Sequence, residues 1–199
     1  MPAAPQVQRP IFLAVFLIFT GVVGLVASLA LTLEKLHSLA NPGAAAGCDF
    51  SLVVQCGKNL ASSQGSILGF PNPLIGLVAF AILTTVGAAI LAGAAFTRWF
   101  WVALNVGMLL AFAFVIFLIV TSIYFLGTLC PWCMVVWSVT IPAFYAVTLY
   151  NVATGALALP ASARRVVGAA YGWVPFLAVA SYIVIAVLAQ LRLDVISYL

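Results

Sequence analysis

The chain has four cysteines, which form two pairs of different spacing. Cys130 and Cys133 make a C-x-x-C motif in which Pro131 follows the first cysteine. Proline suits the first position of a helix, because the N–H that it lacks has no partner inside the helix there. Cys130 is then expected at the helix N-cap, where free N–H groups and the positive helix end lower the pKa of a thiol. Such a pair can open and close with little backbone movement, since three residues of helix rise only about 4.5 Å.

The second pair, Cys48 and Cys56, is eight positions apart. A continuous helix would hold the two Cα atoms about 12 Å apart, whereas a disulfide tolerates at most about 7 Å. We therefore expect no continuous helix between them when they are bonded, and Gly47 and Gly57 give the chain room to bend. A pair in a mobile loop beside a fixed pair at a helix end suits a relay, since thiol–disulfide exchange passes through a mixed disulfide.

Other uses of four cysteines are open at this point. Two structural disulfides could hold an external loop of a transporter or scaffold, and all four sulfurs would then stay oxidised and unreactive. A zinc or iron–sulfur site is disfavoured because Cys48 and Cys56 are eight positions apart, whereas the first two ligands of zinc ribbons and zinc fingers are typically separated by only about two to four residues. We therefore predict no metal site. Haem attachment requires histidine after C-x-x-C, but Met134 stands there.

The composition identifies the surroundings of these cysteines. Of 199 residues, 66% are hydrophobic and 5% are charged, whereas a soluble domain carries roughly 25% charged residues. A water-soluble fold is excluded, and the solvent must be lipid. The net charge of +4 comes from basic residues scattered between apolar runs, which indicates membrane orientation and not nucleic-acid binding.

Five apolar segments are long enough to cross a membrane, for which about 20 residues are needed. They are predicted at about 11–33, 74–96, 99–125, 131–152 and 173–191, within a single domain that spans residues 1–199. The first segment is longer than the apolar region of a signal peptide, so we expect it to be retained. The predicted fold is an all-α integral membrane bundle, and the loop 34–73 is expected to cap it.

The connections between these segments alternate between the two faces of the membrane. Basic residues number four on the face of the N-terminus and three on the other, namely Arg9, Arg98, Arg164 and Arg165 against Lys35, Lys58 and Arg192. The positive-inside rule then places the N-terminus in the cytoplasm. All four cysteines fall outside, where disulfides persist. We expect a multi-pass protein of the cell (plasma or inner) membrane.

Together these motifs resemble the vitamin K epoxide reductase family, including its bacterial disulfide-forming members. The matching elements are, in order, Cys48-Asp49, Cys56, Ser62 with Gly65, Asn72 to Gly76, and Cys130 to Cys133. The order of the two pairs separates this family from the DsbB type, in which the C-x-x-C pair comes first. The resemblance implies five transmembrane helices, four of which form a core around a quinone.

The resemblance also implies a role for each thiol. Cys48 and Cys56 match the shuttle pair that takes electrons from a partner dithiol. Cys130 matches the cysteine that accepts them through a mixed disulfide with Cys56, and Cys133 matches the cysteine that reduces the quinone. Asp49, next to the shuttle pair, would either raise the pKa of the Cys48 thiol or orient the loop, and both remain open.

Three further positions are implied to contact the quinone together with Cys133. Ser62 matches the loop serine beside the redox centre, and Asn72 matches the asparagine that hydrogen-bonds a quinone carbonyl, although it also stands where it could cap the second span. Trp137 occupies the position at which vertebrate members carry a tyrosine for the other carbonyl. An indole N–H can donate there instead, but with a different geometry.

The predicted function is that of a membrane thiol–disulfide oxidoreductase. It would couple oxidation of an extracytoplasmic thioredoxin-fold dithiol protein to reduction of a quinone (menaquinone, ubiquinone or vitamin K type), and so support disulfide bond formation. Some bacterial relatives carry a fused thioredoxin-like domain, but this chain ends at Leu199. The expected partner is therefore a separate, secreted or membrane-anchored DsbA-like protein. The rival enzymatic interpretation is reduction of a quinone epoxide by the same cysteines.

Overall fold

The computed structural model describes residues 10–157, 160 and 170–198. The α-helices of these residues are α1 (Ile11–Ala40), α2 (Gly57–Ala61), α3 (Pro73–Leu91), α4 (Arg98–Val120), α5 (Pro131–Ala153) and α6 (Val174–Leu193). A π-helical turn, Thr121–Leu126, continues α4, and short 3-10 turns lie at Ser63–Ser66, Ala170–Trp173 and Val195–Tyr198. The β pairing within the described part of the chain is one isolated parallel bridge between Val54 and Leu129. The all-α fold is confirmed.

Five of the helices are long and apolar enough to cross a membrane: α1, α3, α4 with its π turn, α5 and α6. The protein is therefore a multi-pass membrane protein. The predicted C-terminal end of α3 was wrong by five positions. Its last turn stops at Leu91 and not at position 96, because Gly93 takes a left-handed φ of 97° and turns the chain toward α4.

The charge count that predicted the orientation rests partly on residues outside the described part of the chain, namely Arg9, Arg164 and Arg165.

The end of α1 was also predicted wrongly. The helix continues for 30 residues to Ala40, a length of roughly 45 Å, whereas the hydrocarbon core is about 30 Å thick. It stops at Asn41 because Pro42 follows, and a residue before proline is disfavoured in the helical conformation. Glu34 and Lys35 therefore lie on the projecting end of α1, and the connecting loop runs from 41 to 72.

The first helix is an integral part of the bundle. It packs against α3 and α5, and Leu13, Ala14 and Leu17 on its face are fully buried. The helices α1 and α3 approach closely because a Cβ at Gly87 would come within 2.7 Å of the Ala14 carbonyl oxygen. Small residues permit such contacts between helices in lipid. The buried face of α1 shows that the helix is packed into the bundle. Its retention stays a prediction.

The loop 41–72 covers one end of the bundle. The projecting end of α1 supports it at two points: the Glu34 carboxylate accepts a hydrogen bond from the Gly47 N–H at 3.0 Å, and the Lys35 ammonium donates to the Leu60 carbonyl at 2.7 Å. Apolar side chains also point outward from the loop, with Phe50 exposed by 74% and Leu52 by 79%. The loop is thus a cap with an apolar outer surface.

Candidate redox site

Cys130 lies where the chain turns into α5. Gly127 ends the π turn with a left-handed φ of 67°, and Cys130 follows in an extended conformation as the N-cap of α5, with Pro131 in the first helical turn. The Cys130 sulfur accepts a hydrogen bond from the Cys133 N–H at 3.3 Å. This is the N-cap geometry that the position of proline predicts.

Cys48 and Cys56 form a disulfide with a Cα–Cα distance of 5.6 Å. The segment between them is not helical, and α2 begins only after Cys56, so the expectation from the spacing is confirmed. The flanking glycines serve a different purpose from the one expected. Neither has a left-handed φ. Instead, a Cβ at Gly57 would come within 2.9 Å of the Asp49 carboxylate, and a Cβ at Gly47 within 2.8 Å of the Glu34 carboxylate.

The Asp49 carboxylate organises the disulfide loop. Its Oδ1 accepts hydrogen bonds from the N–H groups of Cys56 at 2.7 Å and Gly57 at 2.9 Å, and its Oδ2 accepts one from Ala46 at 3.2 Å. A carboxylate at the start of a helix satisfies N–H groups that have no partner within the helix. Of the two roles left open for Asp49, the structure supports orientation of the loop.

The two cysteine pairs meet at the end of the bundle. The sulfur of Cys56 lies 3.2 Å from the sulfur of Cys130. Cys130 and Cys133 are free thiols, whereas a scaffold with two structural disulfides would have all four sulfurs oxidised. The contact is closed to solvent, since Cys56 and Cys130 are 0% exposed and Cys48 is 3% exposed. Thiol–disulfide exchange between the pairs therefore needs little further approach of the sulfurs.

The surroundings of Cys130 favour its thiolate. A hydrogen bond from the Cys133 thiol lowers the pKa of Cys130 most, and the N–H groups of Cys133 and Trp132 lower it further. Burial and the more distant Asp49 carboxylate act in the opposite direction, but the net shift is downward. Hydrogen bonds to a charged sulfur stabilise it relative to the neutral thiol. Cys130 is accordingly a better leaving group in thiol–disulfide exchange than a cysteine with an ordinary thiol pKa.

A partly open cavity of about 150 Å³ lies beneath this contact, and it is lined by α1, α3, α4, α5 and the loop. The helix α6 packs against α5 and contributes nothing to the wall. The predicted arrangement of a four-helix core with a peripheral fifth helix is thus observed. Most of the wall is apolar, including Leu31, Phe80, Leu83, Phe114 and Val136.

All of the positions implied to contact a quinone line this cavity, namely Ser62, Asn72, Cys133 and Trp137. The Asn72 amide donates to the Gln64 carbonyl at 2.6 Å and accepts from the Ile67 N–H at 3.1 Å, which leaves one amide N–H for another acceptor. Asn72 occupies the N-cap position of α3, but its side chain makes no capping hydrogen bond.

Ser62 and Trp137 differ in whether the side chain has a proton free to donate to a ligand in the cavity. The Ser62 hydroxyl donates to the Asn59 carbonyl at 2.7 Å and accepts from the Gly65 N–H at 3.1 Å. Its proton is therefore committed to the loop, and it stabilises the turn after α2. The Trp137 side chain is buried and, within the described residues, its indole N–H has no hydrogen-bond partner. Trp137 is the freer donor of the two.

Sequence reasoning assigned no role to three polar residues near the contact. The Asn59 side chain on α2 donates to Thr128 at 2.9 Å and accepts from Ser122 at 3.1 Å. Thr128 and Ser122 belong to the connection between α4 and α5. One feature of the sequence could have indicated these residues: two hydroxyl residues, Thr121 and Ser122, stand together at the end of an otherwise apolar run. Polar groups in such a run usually have partners inside the protein.

Comparison with known proteins identifies the family. The family model described as "Vitamin K epoxide reductase family" matches residues 15–148, a span that contains most of α1, all four cysteines and most of α5. No curated protein matches the chain. The match extends well beyond the motifs that suggested the resemblance. The chain therefore belongs to the vitamin K epoxide reductase family, and it is a membrane oxidoreductase.

Proposed function

We propose that this protein oxidises an extracytoplasmic thioredoxin-fold dithiol protein and passes the electrons through its two cysteine pairs to a quinone, in support of disulfide bond formation. The observation that carries the proposal is the 3.2 Å distance between the sulfurs of Cys56 and Cys130. It joins a disulfide in the loop to a dithiol at the helix end. The second sulfur of that dithiol, Cys133, borders an apolar cavity.

The first exchange takes place in the loop. A partner thiolate attacks one sulfur of the Cys48–Cys56 disulfide, and the second partner thiol resolves the mixed disulfide. The partner leaves oxidised, and Cys48 and Cys56 leave as two thiols, so two electrons and two protons enter the loop. Since both sulfurs are buried in the closed loop, a folded partner reaches them only after the segment from Cys48 to Cys56 moves outward.

The second exchange carries the electrons to α5. The Cys56 thiolate attacks Cys130 in a Cys130–Cys133 disulfide, and Cys133 leaves as a thiolate. Cys48 then attacks Cys56, and Cys130 leaves, which restores the loop disulfide and the dithiol on α5. The lowered pKa of Cys130 favours this last step, because a thiol of lower pKa leaves faster. These two steps would leave a disulfide in the loop beside a dithiol on α5, an arrangement with which the Cys48–Cys56 disulfide and the free Cys130 and Cys133 are consistent.

The cavity suits a quinone ring. A flat, apolar ring with two carbonyl oxygens fits apolar walls that carry a few polar donors. The second N–H of the Asn72 amide and the indole N–H of Trp137 are two donors that line the cavity, and Cys133 borders the same space. A bound quinone would supply the acceptor for two electrons and two protons. Oxidation of the Cys130/Cys133 dithiol to a disulfide releases that number of each.

The roles of Cys130 and Cys133 can be tested by removing each in turn. In the Cys130→Ala variant the Cys133 thiolate has no resolving partner, so we expect a visible charge-transfer absorption when a quinone is added, lost at low pH as the sulfur is protonated. The Cys133→Ala variant should show no such band and should accumulate a Cys56–Cys130 disulfide, detected by peptide mapping. A band that follows Cys130 would reverse the two roles, and no band in either variant would exclude the quinone.

A further inference from the structure

Asn59 lies on α2, three residues after Cys56, and its side chain reaches the connection between α4 and α5. Its Nδ2 donates to the Thr128 hydroxyl at 2.9 Å, and its Oδ1 accepts from the Ser122 hydroxyl at 3.1 Å. The Ser122 hydroxyl is also within hydrogen-bond reach of the Thr128 carbonyl, so its single proton is shared between the two acceptors. Both Ser122 and Thr128 are buried.

The partners of Asn59 belong to the segment that ends at Cys130. The π turn brings Ser122 and Thr128 together, and the Thr128 N–H donates to the Ser122 carbonyl at 3.2 Å. Thr128 is only two residues before Cys130. Asn59 therefore connects the element that carries one exchanging sulfur to the element that carries the other.

A backbone contact runs beside this side-chain contact. The Leu129 N–H donates to the Val53 carbonyl at 2.7 Å, and the Gln55 N–H donates to the Leu129 carbonyl at 3.0 Å. This bridge fixes the position of the loop relative to Leu129, but it lies before Cys56 in the chain. Asn59 holds the chain on the other side of Cys56, so the two contacts together leave the Cys56 sulfur little freedom relative to Cys130.

The geometry points to Asn59 as a positioning residue that keeps the Cys56 sulfur in register with Cys130 for the exchange between the two pairs. This inference rests on the proposed function. Misplacement of reacting atoms by about 1 Å reduces a rate on the order of 10²-fold. We expect a loss of that order in the exchange between Cys56 and Cys130 when the hydrogen bonds of Asn59 to Thr128 and Ser122 are removed.

The exchange can be isolated in the Cys133→Ala background. There the Cys130 thiolate attacks Cys56 in the loop disulfide and Cys48 leaves as a thiolate, so the reaction is redox-neutral and needs no quinone. It is followed by acid quenching, alkylation and mapping of the Cys56–Cys130 peptide. Asn59→Leu removes the hydrogen bonds to Thr128 and Ser122, together with a longer one to the Gln55 carbonyl at 3.4 Å. Thr128→Val removes only the bond between Asn59 and the Thr128 hydroxyl. Asn41→Leu is the matched control, because Asn41 is exposed and the hydrogen bond that its side chain makes within the described residues goes to the His37 carbonyl, away from both cysteine pairs.

We expect the exchange to slow strongly in Asn59→Leu, less strongly in Thr128→Val, and not at all in Asn41→Leu. With Cys133 present, quinone reduction driven by dithiothreitol should fall much less than the exchange, since a small reductant bypasses Cys56. An unchanged exchange rate would overturn the inference. Equal loss in both assays would also overturn it, because Asn59 would then act on the fold or the cavity. If the Cys133→Ala protein with Asn59 intact formed no Cys56–Cys130 disulfide, the proposed function itself would fail.

Discussion

Cys56 and Cys130 are 74 positions apart in the chain, yet their sulfur atoms lie 3.2 Å from each other. The loop that carries Cys56 caps the bundle, and the helix that carries Cys130 begins beneath it. The loop pair is oxidised and the helix pair is reduced. The contact therefore joins a disulfide and a dithiol that can exchange without a large movement of either element.

Removal of a loop cysteine should affect turnover with a protein donor much more than turnover with a small-molecule donor. We expect Cys48→Ala or Cys56→Ala to abolish turnover with a protein dithiol but to leave dithiothreitol-driven quinone reduction largely intact. A small reductant needs only a brief opening of the cap to reach Cys130 and Cys133, whereas a folded protein is too large to enter. The measurement is the rate of quinone reduction with each donor. Equal loss with both donors would mean that the loop cysteines are needed for the fold and not for transfer.

The thiolate of Cys130 should form at lower pH than that of an ordinary cysteine. In a Cys48→Ala/Cys56→Ala protein, the ultraviolet absorption of thiolate should show a first titration below the usual thiol pKa. Replacing Cys133 by Ala in that protein should move this titration to higher pH, because it removes the hydrogen bond that lowers the pKa of Cys130 most. An unchanged titration would assign the lowered pKa to the backbone N–H groups alone.

Loss of the Asp49 carboxylate should loosen the disulfide loop. Asp49→Ala leaves three N–H groups without their acceptor, and loss of a capping side chain typically costs about 0.5–2 kcal/mol. If opening of the loop limits access, dithiothreitol should reduce the Cys48–Cys56 disulfide roughly 2- to 30-fold faster. Asp49→Asn, which retains one carbonyl acceptor, should lie between this variant and the unaltered protein. An unaltered rate in Asp49→Ala would show that the carboxylate does not hold the loop closed.

The orientation in the membrane can be tested with two exposed positions at opposite ends of the bundle, in a protein without its natural cysteines. Lys58→Cys lies on the cap and Ala95→Cys in the link between α3 and α4. A membrane-impermeant maleimide added to intact cells should label the first position and should label the second only after permeabilisation. The reverse pattern would place the redox face in the cytoplasm and contradict export of disulfides.

Local patterns in the sequence predicted much of the framework. Long apolar runs predicted the five spans, Pro131 predicted the N-cap position of Cys130, and the spacing of the loop cysteines predicted a bent segment. The end of α1 was predicted wrongly because hydropathy detects where lipid ends, whereas the helix ends where Pro42 interrupts it. Glu34 and Lys35 therefore appeared to belong to the loop, although they support it from α1.

The remaining features depend on contacts that no local pattern contains. The role of Asp49 follows from which N–H groups the folded loop brings to its carboxylate. The partners of Asn59 lie 63 and 69 positions away, across a connection whose π turn has no clear signature in the sequence. Such contacts become visible only when the loop is docked on the bundle.

The central claim is that electrons leave the loop through Cys56 and Cys130 and reach a quinone through Cys133. Anaerobic mixing of the fully reduced, purified protein with a soluble quinone tests it most directly. The four cysteines form two pairs and each pair gives two electrons, so the unaltered protein should reduce two quinones per chain. Cys48→Ala/Cys56→Ala should reduce one, and Cys133→Ala none. Failure of the reduced, unaltered protein to reduce any quinone, or equal stoichiometry in all three proteins, would contradict the account.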